Sequence, residues 1–184
     1  MKSEDAPVSA ATLKQLLDDE PKPVLIDVLP EEYFSVEHLP GAKNACVYNI
    51  DFLDLVRKAV PNLKHKVVVY GSSAKNLASA VALSKLVEAG WKNVANFKGG
   101  LTEWREAGYR VEGTHEKKDQ PTLVDKTYCV DTEQSLIEWI GRGIGGKHNG
   151  TLKLSYGELA IRGGNVTNGR FIIDMTSIAD TDIT

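Results

Sequence analysis

The sequence predicts an α/β fold over its first 113 residues, followed by antiparallel β structure. Three observations carry this. Two short apolar runs, Val24-Leu25-Ile26-Asp27-Val28 and Lys66-Val67-Val68-Val69-Tyr70, have the composition of strands buried on both faces. Stretches with helical spacing separate these and the other strand signals, and such alternation implies a parallel sheet covered on both sides. Beyond residue 126 the pattern changes to short strand candidates divided by glycines.

In order along the chain, Ser9 can cap a helix through Asp19, with Leu13, Leu16 and Leu17 on one face. Pro21 and Pro23 stop it, and Val24–Val28 is the first strand. Pro30 opens a short helix, Glu31 to Val36. His38-Leu39-Pro40-Gly41-Ala42 turns into a second strand near Ala45–Val47. Ile50, Leu53, Leu55, Val56 and Val60 sit at helical spacing until Pro61. Lys66–Tyr70 is the clearest strand, and a loop from Gly71 to Asn76 follows it. An Ala/Leu-rich helix then runs through Ala89, with Gly90 as its C-cap. Asn93–Phe97 is a strand, and Gly99–Trp104 begins a helix that ends at Gly108.

The organisation read from this is a domain at 1–113, a polar linker at 114–126 and a β segment at 127–184. In the β segment Thr127–Val130, Leu136–Ile140, Thr151–Ser155, Glu158–Arg162 and Arg170–Met175 are strand candidates. Gly145-Gly146, Tyr156-Gly157, Gly163-Gly164-Asn165 and Asn168-Gly169 are turn candidates. Few large apolar residues and open strand edges make this segment an expected front part of a larger β domain.

Composition narrows the function. Of 184 residues 42% are hydrophobic and 26% charged, which is globular, and the net charge of -3 without a basic run gives no support to a nucleic-acid partner. No stretch approaches the roughly 20 apolar residues of a membrane helix, and the polar start lacks a signal core, so the expected location is cytoplasmic. Two cysteines, Cys46 and Cys129, make neither a disulfide framework nor a four-thiolate zinc site. His115, His148 and the nearby acids lack metal-ligand spacing, and neither a metal nor a cofactor is expected. Gly141-Arg142-Gly143-Ile144-Gly145-Gly146 mimics a dinucleotide loop but follows no βαβ unit, so it reads as β-turns.

Leu25-Ile26-Asp27-Val28, Glu32-Tyr33, His38-Leu39-Pro40-Gly41-Ala42-Lys43-Asn44, Val67-Val68-Val69-Tyr70, and Val94 through Gly99-Gly100-Leu101-Thr102-Glu103-Trp104 to Ala107-Gly108-Tyr109 stand in the order and spacing of one family. Across roughly residues 8–112 the chain resembles a rhodanese-like domain. The resemblance implies a five-stranded parallel sheet with helices on both faces. It also implies sulfur-transfer chemistry by a cysteine thiolate directly after the Val67–Tyr70 strand, cradled by loop amides at a helix N-terminus. Here that position is Gly71, and the loop reads Gly71-Ser72-Ser73-Ala74-Lys75-Asn76. Asn76 stands where the family often has Arg, and Val28-Leu29 where it usually has Val-Arg. Ser72 and Ser73 form no persulfide and have no adjacent base in sequence. The loop then has two readings: a scaffold in which Ser73 or a neighbour caps the next helix, or a remnant that binds a small anion, with Lys75 adding charge. Cys46 and Cys129 read as packing residues, and His38 as a structural member of its turn.

Tyr128-Cys129-Val130-Asp131, Ser135 to Trp139, Lys147-His148-Asn149-Gly150-Thr151, Gly157-Glu158-Leu159 and Gly169 through Ile178 resemble the start of a YceI-like domain, a lipocalin-like barrel associated with polyisoprenoid or other lipid binding. A barrel of about eight strands is needed to surround a ligand, so lipid binding is expected only where the barrel is completed elsewhere. The expected function is a catalytically inactive rhodanese-like module, binding or regulatory, with an unknown protein partner or a small anion. The alternatives are a lipid or isoprenoid carrier and a weak sulfurtransferase using another nucleophile.

Overall fold

The structure is a computed structural model that describes residues 8–115, 123–143 and 146–182. The chain divides into two compact units, 1–117 and 118–184.

The first unit runs α1 (Ala10–Asp18), β1 (Val24–Asp27), α2 (Glu31–Val36), β2 (Lys43–Asn44), α3 (Phe52–Ala59), β3 (Val67–Tyr70), α4 (Ala78–Glu88), β4 (Val94–Phe97) and α5 (Gly100–Glu106). Ser9 caps α1, its hydroxyl accepting the Thr12 amide. The Ala10 amide is donated to Glu103 Oε1 at 2.8 Å, which ties the start of α1 to α5. The strands form one parallel sheet in the order β2-β1-β3-β4.

Alternation along the strands splits the core in two. Ile26, Val67 and Val69 pack with Phe52, Val56, Ala82, Leu86 and Trp91 on one face. Leu25, Val68, Tyr70 and Phe97 pack with Leu13, Leu39 and Trp104 on the other. All four residues of β3 are buried, as a doubly covered strand requires.

Two expectations are corrected here. Among the described residues the sheet has four strands, not five. The segment after α5 makes a single antiparallel bridge, His38 with Glu112. Pro40, which has no amide to donate, and Gly113, which turns at φ +134°, bound that bridge and stop a ladder from growing. The second strand lies at Lys43–Asn44 rather than near Ala45–Val47. The amides of Ala45 and Val47 do reach the carbonyls of Asp27 and Val28, so the apolar run is buried beside β1 without extending the ladder.

The second unit is antiparallel: β5 (Thr127–Cys129), β6 (Leu136–Gly143), β7 (Gly146–Arg162) and β8 (Asn165–Asp180). β7 is central, with β5 and β6 along one side and β8 along the other. The expected five short strands are therefore four, two of them long. Tyr156-Gly157 lies inside β7 and is not a turn. A Cβ on Gly157 would come within 2.7 Å of the Val130 side chain, so this glycine serves close packing. Asn168-Gly169 lies inside β8, while Gly163-Gly164 does make the β7–β8 turn, with φ of +58° and +72°. The expected β-turns at 141–146 are corrected in part. Gly141–Gly143 belong to β6 and Gly146 to β7, and 144–145 lie outside the described residues.

Candidate functional site

The order β2-β1-β3-β4 makes the chain leave β1 toward one side of the sheet and β3 toward the other. The carboxyl ends of β1 and β3 therefore form a switch-point crevice, the place where open α/β sheets hold ligands. Asp27 and Tyr70, paired in register, close these two strands, and Gly71–Asn76 follows directly.

The loop is held at both ends. The Gly71 carbonyl accepts the Leu101 amide at 3.0 Å, and the Ser72 carbonyl accepts the Thr102 amide and hydroxyl, each at 2.9 Å. The loop carbonyls thus satisfy the first-turn amides of α5. Since a trans peptide sets its N–H opposite its C=O, the Ser72 and Ser73 amides point away from α5. At the far end Asn76 donates its amide to the Ser73 carbonyl at 3.0 Å, and its side-chain Oδ1 accepts the Ala78 amide at 2.8 Å. Asn76, rather than Ser73, thus bonds the first amide of α4, from the position before the N-cap Leu77, which makes no side-chain cap bond. The Ala74 and Lys75 side chains face solvent, Gly71 is buried, and Ser72, Ser73 and Asn76 are half-buried.

The space beside Gly71 is narrow. A Cβ built there would meet Asn76 Oδ1 at 3.3 Å and Leu29 Cδ2 at 3.7 Å. Gly100 sets a second close approach, because at φ +59° its Cβ would fall 2.2 Å from the Gly71 carbonyl oxygen. Only glycine at 100 lets α5 begin against the loop.

Beneath the loop Asp27 is fully buried. Its Oδ1 accepts the Leu29 amide at 2.9 Å, and its Oδ2 has no hydrogen-bond partner among the described residues. Burial pushes its pKa up to about 6, with the Leu29 amide, the Tyr70 hydroxyl and the His38 ring offsetting part of the rise. The Tyr70 hydroxyl accepts the Leu39 amide at 3.0 Å. Burial and the neighbouring Asp27 charge hold its pKa well above the ordinary value. His38 bonds the Phe34 carbonyl through Nδ1 at 2.7 Å and stacks on the Phe34 ring, which is the structural role its turn suggests.

Neither cysteine belongs to the loop. Cys46 is buried just after β2, and Cys129 is exposed in β5. Its exposure departs from the packing role read from sequence, since Thr127 and Cys129 share the exposed face of β5 and Tyr128 takes the other. Sequence reasoning missed the Asp27–Tyr70–Leu39 connection, which joins three positions far apart in the chain.

Comparison with known proteins places this architecture. The rhodanese-like domain family matches residues 9–107, more than half of the chain. The chain belongs to the rhodanese-like family. It is 35% identical over 88 residues to the adenylyltransferase and sulfurtransferase UBA4 of Meyerozyma guilliermondii, covering 44% of this chain and 20% of that protein. The chain thus spans about a fifth of the length of this relative. Among solved structures, the rhodanese-like domain of the Alr3790 protein from Anabaena sp. superposes with a TM-score of 0.52 at 26% identity, covering 66% of this chain and 93% of that one. Thiosulfate sulfurtransferase from Pseudomonas aeruginosa shares the fold, with a TM-score of 0.51 at 23% identity over 57% of this chain and 19% of that one.

Among the described residues no helix is long and apolar enough to cross a membrane.

Proposed function

We propose that the first unit is a rhodanese-like module that does not transfer sulfur and acts by binding. The observation that carries this reading is the pair Gly71 and Asn76. The position where the family's thiolate is expected has no side chain, and the Asn76 carboxamide crowds the space in which one would begin. A carboxamide is neither a nucleophile nor a sulfur carrier. Cys46 is buried and Cys129 lies in the other unit, which weighs against the alternative of a weak sulfurtransferase with a substitute nucleophile.

The loop is the binding element in this reading. Its Ser72 and Ser73 amides turn away from α5, and Lys75 stands exposed beside them at the start of α4. Backbone amides near a helix N-terminus with an adjacent ammonium suit a small anion, or an anionic group on a protein partner. Titration with sulfate or phosphate, followed by amide chemical shifts, tests this. Shifts confined to Ser72–Asn76 support anion binding, and none at millimolar anion leaves the loop as scaffold only.

A second reading concerns the β unit. Phe171 and Ile173, at alternate positions of β8, expose a short apolar row on one face. Such a row fits the YceI-like, lipid-carrying alternative, provided further strands complete a barrel around it. Solvent extraction of the purified chain with mass analysis of the extract tests it, and an extract free of lipid or isoprenoid removes it.

A further inference from the structure

β8 pairs with β7, and among the described strands none lies against its other side. An edge strand turns the N–H and C=O of alternate residues outward, where they can pair with another strand. The β7–β8 register shows where β8 is regular. β8 carries extra residues between Val166 and Asn168 and between Asp174 and Ala179, while opposite Ile172 and Ile173 the extra residue, Ser155, is on β7, so 168–174 has no insertion of its own. Phe171 is 50% exposed, and Ile172 and Ile173 are each 44% exposed.

We propose that this edge binds the same edge of a second copy of the chain, antiparallel, about a two-fold axis through Ile172. Two constraints select that register. Only residues of like orientation can pair across the new edge, so the opposed positions must differ by an even number. Charge then decides among the centres that remain. An axis through Arg170 or Asp174 opposes like charges directly. An axis through Phe171 or Ile173 sets a charged residue opposite Ile172. An axis through Ile172 sets Arg170 opposite Asp174 twice and Phe171 opposite Ile173 twice, and Ile172 meets itself.

The same register extends a charge pattern already present. Within one sheet Lys153 is paired with Asp174, and Glu158 with Arg170. Across the joined sheets the order becomes Lys153, Asp174, then Arg170 and Glu158 of the second copy, alternating in sign throughout. Asp174 Oδ1 accepts the Thr176 amide and hydroxyl, at 2.9 and 2.6 Å, and the Ser177 amide and Lys153 also act on this carboxylate, which lies on the open edge strand for a guanidinium to join. Such an interface is isologous and closes as a dimer.

Sedimentation velocity of the full chain across a dilution series tests the proposal. The wild type is expected to pass from monomer to dimer as concentration rises. Arg170→Asp alone and Asp174→Arg alone are each expected to stay monomeric. An equimolar mixture of the two is expected to recover the dimer, because it restores two opposite-charge pairs. A wild type that stays monomeric overturns the proposal. So do single variants that dimerise like the wild type, or folded variants whose mixture stays monomeric. Hydrogen exchange on the wild type needs no variant to fold. Protection at the outward-facing amides of Phe171 and Ile173 should rise with protein concentration, while those of 170, 172 and 174 already face β7. Fast exchange at every concentration, or full protection in a monomer, overturns the pairing.

Discussion

Asn76 Oδ1 lies 3.3 Å from the point where a Cβ on Gly71 would stand, and the same oxygen accepts the Ala78 amide at 2.8 Å. One atom thus bonds the first amide of α4 and crowds the position next to β3. Glycine at 71 and asparagine at 76 are coupled choices.

The coupling has a measurable sign. Asn76→Ala removes the hydrogen bond to the Ala78 amide and should cost about 1 kcal/mol. Gly71 does not use the left-handed region. An alanine there should therefore gain roughly 0.4–1 kcal/mol by restricting the unfolded chain, unless crowding cancels the gain. Gly71→Ala is expected to be neutral or destabilising in the wild type and stabilising in Asn76→Ala. Denaturant unfolding of the four proteins measures this, and strictly additive effects would contradict the coupling.

Gly100→Ala should be severe. The backbone at φ +59° disfavours any side chain, and the Cβ would overlap the Gly71 carbonyl at 2.2 Å. The left-handed conformation alone costs roughly 1–2 kcal/mol, and the overlap adds to it. A loss above about 2 kcal/mol in urea unfolding is expected, with exchange at the Leu101 and Thr102 amides accelerated first.

Asp27 should leave a signature in stability against pH. Its folded pKa is raised to about 6 from 3.8, so the folded state holds the proton more tightly. The resulting stabilisation is fully present below about pH 4 and is lost as pH rises through about 6. A shift of this size corresponds to at most about 3 kcal/mol. Asp27→Asn removes the titration. The stability of the wild type relative to this variant is therefore expected to fall between pH 4 and pH 7. Chemical denaturation at both pH values checks it, and a constant difference would contradict the assignment.

Much of the first unit was legible in its sequence, because continuous apolar runs identify doubly covered strands and Pro and Gly mark the ends of helices. The misplaced second strand shows the limit of that signal. Ala45–Val47 is apolar because it is buried, yet the ladder forms at the polar pair Lys43–Asn44. Burial and strand pairing are separate properties. The β unit was harder, since glycine marks both turns and close packing. Gly163-Gly164 is the first kind and Gly157 the second, distinguished by the positive φ of the pair and by the Val130 and Phe171 side chains packed over Gly157. The loop Gly71–Asn76 was placed correctly between strand and helix. The crowding of residue 71 by Asn76 depends on a side-chain direction that sequence does not carry.

A thiosulfate–cyanide assay on the full chain decides the proposal that this rhodanese-like module has no sulfur-carrying nucleophile. Thiocyanate is expected to form no faster than in a protein-free blank, with no change on Cys46→Ser. Turnover well above the blank that disappears on Cys46→Ser would contradict it and identify Cys46 as the nucleophile.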